Sequence, residues 1–428
     1  MKNINAVILA AGEGTRMNSK VPKILHKLGS TPMLGHVMEN VQAAGIKNIF
    51  IITGYKSEMV EKYVGDTAKC IQQKELLGTA DAVWQIRNEA VLKGKDARLL
   101  IIYGDTPLIQ AATIKGLIKK HYSESVTGTL LSVNTKDPTG YGRIVRTDGG
   151  KVVKIVEEHE ASVYERAIEE INVGVYVFEV NKLFEAIKKI RPNNRKKEYY
   201  LTDVVQVLNK DNESVNAMEI QNHNEMLGVN SRFSLAQAYE IFRMRILDRI
   251  IASGVTVLDP KTTFIDEKVT IGKDSIIYPF TVIERDVVIG ENCSIGPFAR
   301  IRSKSKVANG AAIGNFVELN RSEAGENSRI KHQSYIGDTK IGKSVNVGAG
   351  TIVANYDGKN KNKTIIKDGA FIGSGTILVA PVVMGKNAVT GAGAVVTKNK
   401  NIPDNTVVVG IPARVLRKTI KVKSKTDK

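Results

Sequence analysis

The sequence predicts two folded parts in one chain, an α/β domain with a mostly parallel sheet followed by a parallel β-helix. Two observations carry this. From residue 265 an aliphatic side chain recurs every six positions, at Ile265, Ile271, Ile277, Ile283, Ile289, Ile295, Ile301, Val307, Ile313 and Leu319. Before residue 230, short apolar runs that end in Gly or Asp alternate with helical patterns. If aliphatic residues make up roughly a quarter of a typical chain, chance gives such an unbroken ladder about once in a million trials.

The first strand is Ala6-Val7-Ile8-Leu9-Ala10, an apolar run that stops at a glycine loop. A helical pattern follows Pro32, and the next strand centres on Ile-Phe-Ile-Ile within residues 48–53. Leu99-Leu100-Ile101-Ile102-Tyr103-Gly104-Asp105 is another strand, with its aspartate at the carboxyl end. Parallel sheets bind ligands beyond the carboxyl ends of their strands, where both the glycine loop and Asp105 fall. Gly12-Glu13-Gly14 can turn backbone N–H groups toward phosphate oxygens. By itself it is neither a dinucleotide fingerprint nor a Walker loop. Arg16 and Lys23 in the same stretch add two cations, which suits a polyphosphate under attack at phosphorus.

Residues 231–253 read as a helix between the two parts. Ser231 can cap it, Leu235, Tyr239, Ile246 and Ile250 recur at helical spacing, and Gly254 ends it.

In the ladder each hexad is one short strand plus a turn, and three hexads close a triangular coil. The aliphatic fills the core, while small or β-branched residues such as Ser275, Thr281 and Ala299 take the position two before the next aliphatic. The phase slips after Leu319, resumes at Ile341, Val347 and Val353, and resumes again at Ile366. This predicts two irregular segments, 320–340 and 355–363. Breaks in a strict pattern are where function is expected. The first holds His332, whose side chain suits acid–base work near neutral pH. The second holds Asn355-Tyr356-Asp357-Gly358.

Composition bounds the rest. The chain has 428 residues and a formal net charge of +18. That excess suits phosphorylated small molecules as well as nucleic acid, and no basic patch interleaved with aromatics supports the latter. No apolar run is long enough to span a bilayer. Met1-Lys2-Asn3 leads straight into a strand, without a signal-peptide pattern. Two cysteines fit a reducing cytoplasm better than a disulfide scaffold. The expected domains are residues 1–230, a linker helix 231–254, a β-helix 255–412 and a frayed basic tail 413–428.

Several motifs carry a resemblance. Leu9-Ala10-Ala11-Gly12-Glu13-Gly14-Thr15-Arg16-Met17, with Pro22-Lys23 after it, looks like the signature of sugar-1-phosphate nucleotidylyltransferases. Gln73, Gly78-Thr79, Tyr103-Gly104-Asp105, Gly140-Tyr141-Gly142-Arg143, Glu157, Glu170-Ile171-Asn172 and Gly228-Val229-Asn230 follow in the expected order. Joined to hexapeptide repeats, the whole chain resembles the bacterial family of bifunctional N-acetylglucosamine-1-phosphate uridylyltransferases and glucosamine-1-phosphate acetyltransferases.

The resemblance implies a Rossmann-like α/β nucleotidyltransferase domain and a left-handed parallel β-helix. It implies that Leu9, Ala10, Ala11, Gly12, Gln73, Gly78 and Thr79 hold the uracil and ribose of UTP. Arg16 and Lys23 would grip phosphates and carry catalysis there. Tyr103 and Gly104 would also contact substrate. Asp105 and Asn230 would bind Mg²⁺, a cation that prefers hard oxygen ligands, and Gly142, Glu157 and Asn172 would read the sugar ring. In the β-helix His332 matches the general base. Arg302, Tyr335 and Asn346 match sugar-phosphate contacts, and Glu318 is expected beside His332. Ala349, Asn355, Tyr356, Ser374 and Ala392 match acetyl-CoA contacts. A cytoplasmic homotrimer feeding peptidoglycan and lipopolysaccharide synthesis is implied too, with no nucleic acid partner and no membrane insertion.

The chain departs from the family at Asn320, where Lys is usual. Arg321 is next door, but alternation along a strand predicts that its side chain points to the opposite face. The β-helix also has fewer hexads before Ile295 than is usual. An alternative therefore stands, in which the chain performs nucleotidylyl transfer alone and the β-helix is a trimerising scaffold.

Overall fold

A computed structural model describes residues 3–94 and 96–417. The chain forms two compact units, Met1–Ile241 and Phe242–Lys428. The division falls within the helix Arg232–Ala252.

The first unit is built on one sheet. Its strands lie in the order Val215–Glu219, Gly128–Asn134, Glu170–Glu179, Arg98–Tyr103, Ile4–Ala10, Ile49–Thr53, Lys69–Gln72. All neighbours along it are parallel except those of Glu170–Glu179, which runs against both its neighbours. The strand Ile4–Ala10 is buried along its whole length. Its alternate side chains serve two apolar clusters, Val7 and Leu9 in one and Ala6 and Ile8 in the other. Strands covered on both faces read as continuous apolar runs, which is why this one was plain in the sequence. Ile4–Ala10, Ile49–Thr53 and Arg98–Tyr103 end along one edge. That edge presents the glycine loop, Gln73 and Asp105.

The second unit is a left-handed β-helix of three sheets, each built of stacked short strands. Successive coils pair in parallel, Val282 with Arg300 and Ile283 with Ile301 for example, so the partner lies 18 residues along. Ile277, Ile295, Ile301, Ile313 and Leu319 are fully enclosed. Burying each such side chain contributes about 1.5–3 kcal/mol, so the column of aliphatics is what holds the coils in register.

The first expected irregular segment is regular. Strands Glu323–Ala324, Arg329–His332, Tyr335–Gly337 and Thr339–Ile341 continue the coils through residues 320–340. Ala324, Ile330, Ile336 and Ile341 keep the core filled. The ladder shortens by one residue at two corners, between Leu319 and Ala324 and between Ile336 and Ile341. Pairing then steps by 17, as in Lys306 with Glu323 and Glu323 with Lys340. Residues 355–363 are a true excursion. Thr339 pairs with Thr364, 25 residues along, and the loop is closed by a bridge between Tyr356 and Lys361. Asp357 anchors it, accepting from Asn360 N at 2.7 Å, Lys359 N at 3.1 Å and Asn362 Nδ2 at 3.0 Å. Those donors hold its carboxyl well below the usual range.

The tail is not frayed from its start. Arg414–Arg417 is a strand that pairs antiparallel with Val407–Val409, adding to the last coil. Residues 418–428 lie outside the described residues.

Candidate functional site

In the first unit a cleft of about 340 Å³ opens at the carboxyl edge of the sheet. Leu9, Ala10, Ala11, Gly12, Lys23, Gln73, Gly78, Thr79, Tyr103 and Asp105 line it together. Gly14 has φ 68°, and a Cβ there would meet Lys23 Cβ at 2.6 Å. The loop therefore needs glycine at this position, because the stem of Lys23 packs over it. Arg16 is exposed on the single turn Thr15–Met17.

At one end of the cleft Lys23 Nζ donates to Asp105 Oδ2 and, at 2.8 Å, to Asn230 Oδ1. A carboxylate oxygen and an amide oxygen thus converge on one point, and an ammonium sits there. The Asp105 carbonyl also accepts from Val229 N at 2.8 Å, which fixes the approach of the 228–230 segment. Two hard oxygens aimed at a single cation position fit a magnesium ion that keeps water and phosphate as its other ligands.

The sugar-reading candidates form a second group. Asn172 N donates to the Gly142 carbonyl at 2.8 Å, and Asn172 Nδ2 donates to the Tyr176 hydroxyl at 2.6 Å. Glu157 accepts from the Thr202 hydroxyl at 2.9 Å, and burial raises its pKa. Burial, with Glu157 close by, also raises that of Tyr103.

Sequence reasoning missed the strap Glu198-Tyr199-Tyr200-Leu201-Thr202-Asp203. Tyr199 N donates to the Leu77 carbonyl at 2.8 Å, the Tyr199 carbonyl accepts from Ala80 N at 2.9 Å, and Leu201 N donates to Thr79 Oγ1 at 2.9 Å. Glu198 lines the cleft. Burial, then the carboxylates of Glu157 and Glu160, push the Asp203 pKa up to about 6. The signal in the sequence was a polar and aromatic cluster between two helical patterns.

In the second unit His332 stands at a corner between two faces. Register places Ala349, Ser374 and Ala392 above it in successive coils, since Ile330, Val347, Ile372 and Thr390 pair in turn. His332 Nδ1 is 3.0 Å from Asn315 Oδ1, one coil below. Glu318 is not the partner expected for His332, since it accepts from Arg302 Nη1 at 2.9 Å. Glu318 and Tyr335 pair on one face, and Asn346 lies on the other face adjoining the corner. Asn355 is buried and Tyr356 is 60% exposed.

Arg321 does not point away from Asn320. It sits at a corner with φ 52°, where strand alternation does not apply, and its Nη1 donates to Asn320 Oδ1 at 2.9 Å.

Comparison with known proteins follows this division. The nucleotidyl transferase family matches residues 5–225, and the bacterial transferase hexapeptide (six repeats) family matches residues 268–303, 286–321 and 363–398. A protein named bifunctional protein GlmU from Pelotomaculum thermopropionicum is 43% identical over 413 residues, covering 89% of this chain and 90% of that one. The chain belongs to the GlmU family. GlmU relatives from Geobacillus sp. (43% identical, 94% of each chain) and Acetivibrio thermocellus (39%, with 96% of this chain and 95% of that one) cover it as fully. Like them it is a bifunctional transferase, with a nucleotidyltransferase domain before a hexapeptide acetyltransferase domain. Among the described residues no helix is long and apolar enough to cross a membrane.

Proposed function

We propose that the chain makes UDP-N-acetylglucosamine in two steps at two separate sites. The β-helix would move an acetyl group from acetyl-CoA to the 2-amine of glucosamine 1-phosphate. The α/β unit would then move a uridylyl group from UTP to N-acetylglucosamine 1-phosphate, with release of pyrophosphate. The observation that carries this is the presence, in one chain of the GlmU family, of both the Lys23–Asp105–Asn230 cluster and the His332–Asn315 pair.

In uridylyl transfer a phosphate oxygen of the sugar attacks the α-phosphorus in line, and the bond to pyrophosphate breaks. No protein nucleophile is needed, so positioning and charge neutralisation carry the rate. Leu9 to Gly12, Gln73, Gly78 and Thr79 would seat the base and ribose. Gly142, Glu157 and Asn172 would seat the sugar. Asp105 and Asn230 would hold Mg²⁺, which supplies charge neutralisation on the reacting phosphates when bound. Lys23, displaced from these oxygens, would be free to meet the phosphates beside Arg16.

In acetyl transfer the amine nitrogen attacks the thioester carbonyl and the thiol of coenzyme A leaves. Asn315 Oδ1, an acceptor 3.0 Å from His332 Nδ1, would hold the ring proton there and leave Nε2 to take the proton of the amine. Arg302, Tyr335 and Asn346 would hold the sugar phosphate. Ala349, Asn355, Tyr356, Ser374 and Ala392 would line the arm of acetyl-CoA. We further propose a cytoplasmic homotrimer that supplies cell-wall precursors. Supporting an assembly face, Phe280, Phe298 and Phe316 stack with ring centroids 4.9 and 5.1 Å apart and stay 46–57% exposed.

The test supplies the full chain with glucosamine 1-phosphate, acetyl-CoA, UTP and Mg²⁺. Equal amounts of free thiol, pyrophosphate and UDP-N-acetylglucosamine are expected. Product formed only when N-acetylglucosamine 1-phosphate is supplied would favour nucleotidylyl transfer alone.

A further inference from the structure

We propose that Arg321, acting through Asn320, sets the hydroxyl of Tyr335 as a hydrogen-bond donor toward the phosphate of the amino sugar. This rests on the acetyltransferase reading above and adds two positioning residues to it.

The hydrogen-bonding chemistry around Asn320 allows one orientation only. Arg321 Nε and Nη2 donate to the two oxygens of Asp338, each at 2.7 Å, and Nη1 donates to Asn320 Oδ1 at 2.9 Å. A guanidinium has donors and no acceptor. The amide of Asn320 must therefore turn its oxygen to Arg321 and its NH2 away. On that side Asn320 Nδ2 donates to the Tyr335 hydroxyl at 3.2 Å. A phenol oxygen that accepts this bond keeps its own proton for another acceptor. Tyr335 lies on the face where Glu318 is its neighbour in register and Arg302 is the partner of Glu318. A phosphate on that face is such an acceptor.

The arrangement is built rather than incidental. Asn320 is 6% exposed, so water does not compete freely for its amide. Arg321 and Asp338 occupy matching corners of successive coils, both in the left-handed region, at φ 52° and 49°. The Arg321 guanidinium holds the Asp338 carboxyl below its usual range, which keeps the pair ionised. Asp338 also accepts from Asn355 Nδ2, so the same carboxylate anchors both Arg321 and the Asn355 amide. The ion pair brings no net charge. The phosphate would meet a neutral phenolic donor together with Arg302.

The decisive variant is Asn320→Asp in the full chain. It is nearly isosteric and keeps an oxygen on Arg321, but it offers Tyr335 an acceptor in place of a donor. Tyr335 would then donate inward. The KM for glucosamine 1-phosphate is expected to rise about tenfold, with kcat, the KM for acetyl-CoA and uridylyl transfer unchanged. Tyr335→Phe should give the same rise, and the double variant no more than Tyr335→Phe alone. Should Asn320→Asp lower the melting temperature, Asn320→Ala carries the test. It frees the hydroxyl without reversing it, so a rise of about threefold is expected. A KM within twofold of wild type in both Asn320 variants, beside a raised value in Tyr335→Phe, would overturn the proposal. So would Asn320 and Tyr335 effects that multiply in the double variant. Absence of acetyl transfer in the wild-type chain would overturn the acetyltransferase reading itself.

Discussion

His332 Nδ1 lies 3.0 Å from Oδ1 of Asn315, the residue directly beneath it in the previous coil. An amide oxygen can only accept, so this contact favours the proton on Nδ1 and would leave Nε2 for the general-base role proposed above. Replacing Asn315 with Leu removes the acceptor and lets the imidazole choose either tautomer. Acetyl transfer is expected to fall roughly tenfold, less than the 10²–10⁴-fold that a general base supplies. Uridylyl transfer by the same preparation should not change. Free-thiol release and pyrophosphate release, measured in parallel, check this.

Magnesium removal should separate the two activities. In the α/β unit Asp105 and Asn230 direct oxygens at one cation position, where Lys23 Nζ sits. A chelator is expected to abolish uridylyl transfer and leave acetyl transfer at its full rate. Loss of both on chelation would place a metal in the acetyltransferase chemistry as well.

Gly78 cannot carry a side chain. Its φ is 118°, and a Cβ would stand 2.5 Å from the Tyr199 carbonyl oxygen and 2.7 Å from the Tyr199 nitrogen. The Gly78→Ala variant should push the 198–203 strap out of the cleft and reduce uridylyl kcat/KM by about 10²-fold. Acetyl transfer by the second unit should not change, and thermal unfolding checks that the first unit stays folded.

Asp203 should make the first unit less stable at alkaline pH. Its folded pKa of about 6 lies above the ordinary carboxylate value, so the unfolded chain ionises first as pH rises. Stability is therefore undiminished below about pH 4 and falls as pH climbs from there through 6. The shift corresponds to nearly 3 kcal/mol, and partial exposure of the group reduces this to about 1 kcal/mol. Asp203→Asn should raise the melting temperature by roughly 2–4 °C at pH 8 and by nothing at pH 4. Thermal unfolding at the two pH values decides it.

Much of this was legible in the chain, for physical reasons that also explain the gaps. The strand Ile4–Ala10 is buried along its whole length, and every residue but Asn5 is apolar, because it is covered on both faces. The ladder from Ile265 to Leu319 is visible because each aliphatic fills the same core position. The six-residue count breaks at Asn320 because a period counts residues, whereas a solenoid counts strands. Shortening two corners by one residue leaves Ala324 and Ile341 in the core. Strand alternation misplaces Arg321 for a related reason, since side chains alternate along strands but not at a corner with positive φ. Asn315 and the 198–203 strap carry no period at all. The strap shows in the sequence only as a polar and aromatic cluster, and the fold gives both a role by setting them against His332 and Thr79.

If one chain holds two independent transferases, measuring both activities in His332→Ala separates them. Acetyl transfer from acetyl-CoA to glucosamine 1-phosphate should be lost, while UDP-N-acetylglucosamine still forms at the wild-type rate from UTP and N-acetylglucosamine 1-phosphate. Acetyl transfer that persists without His332, or uridylyl transfer that disappears with it, would contradict the account.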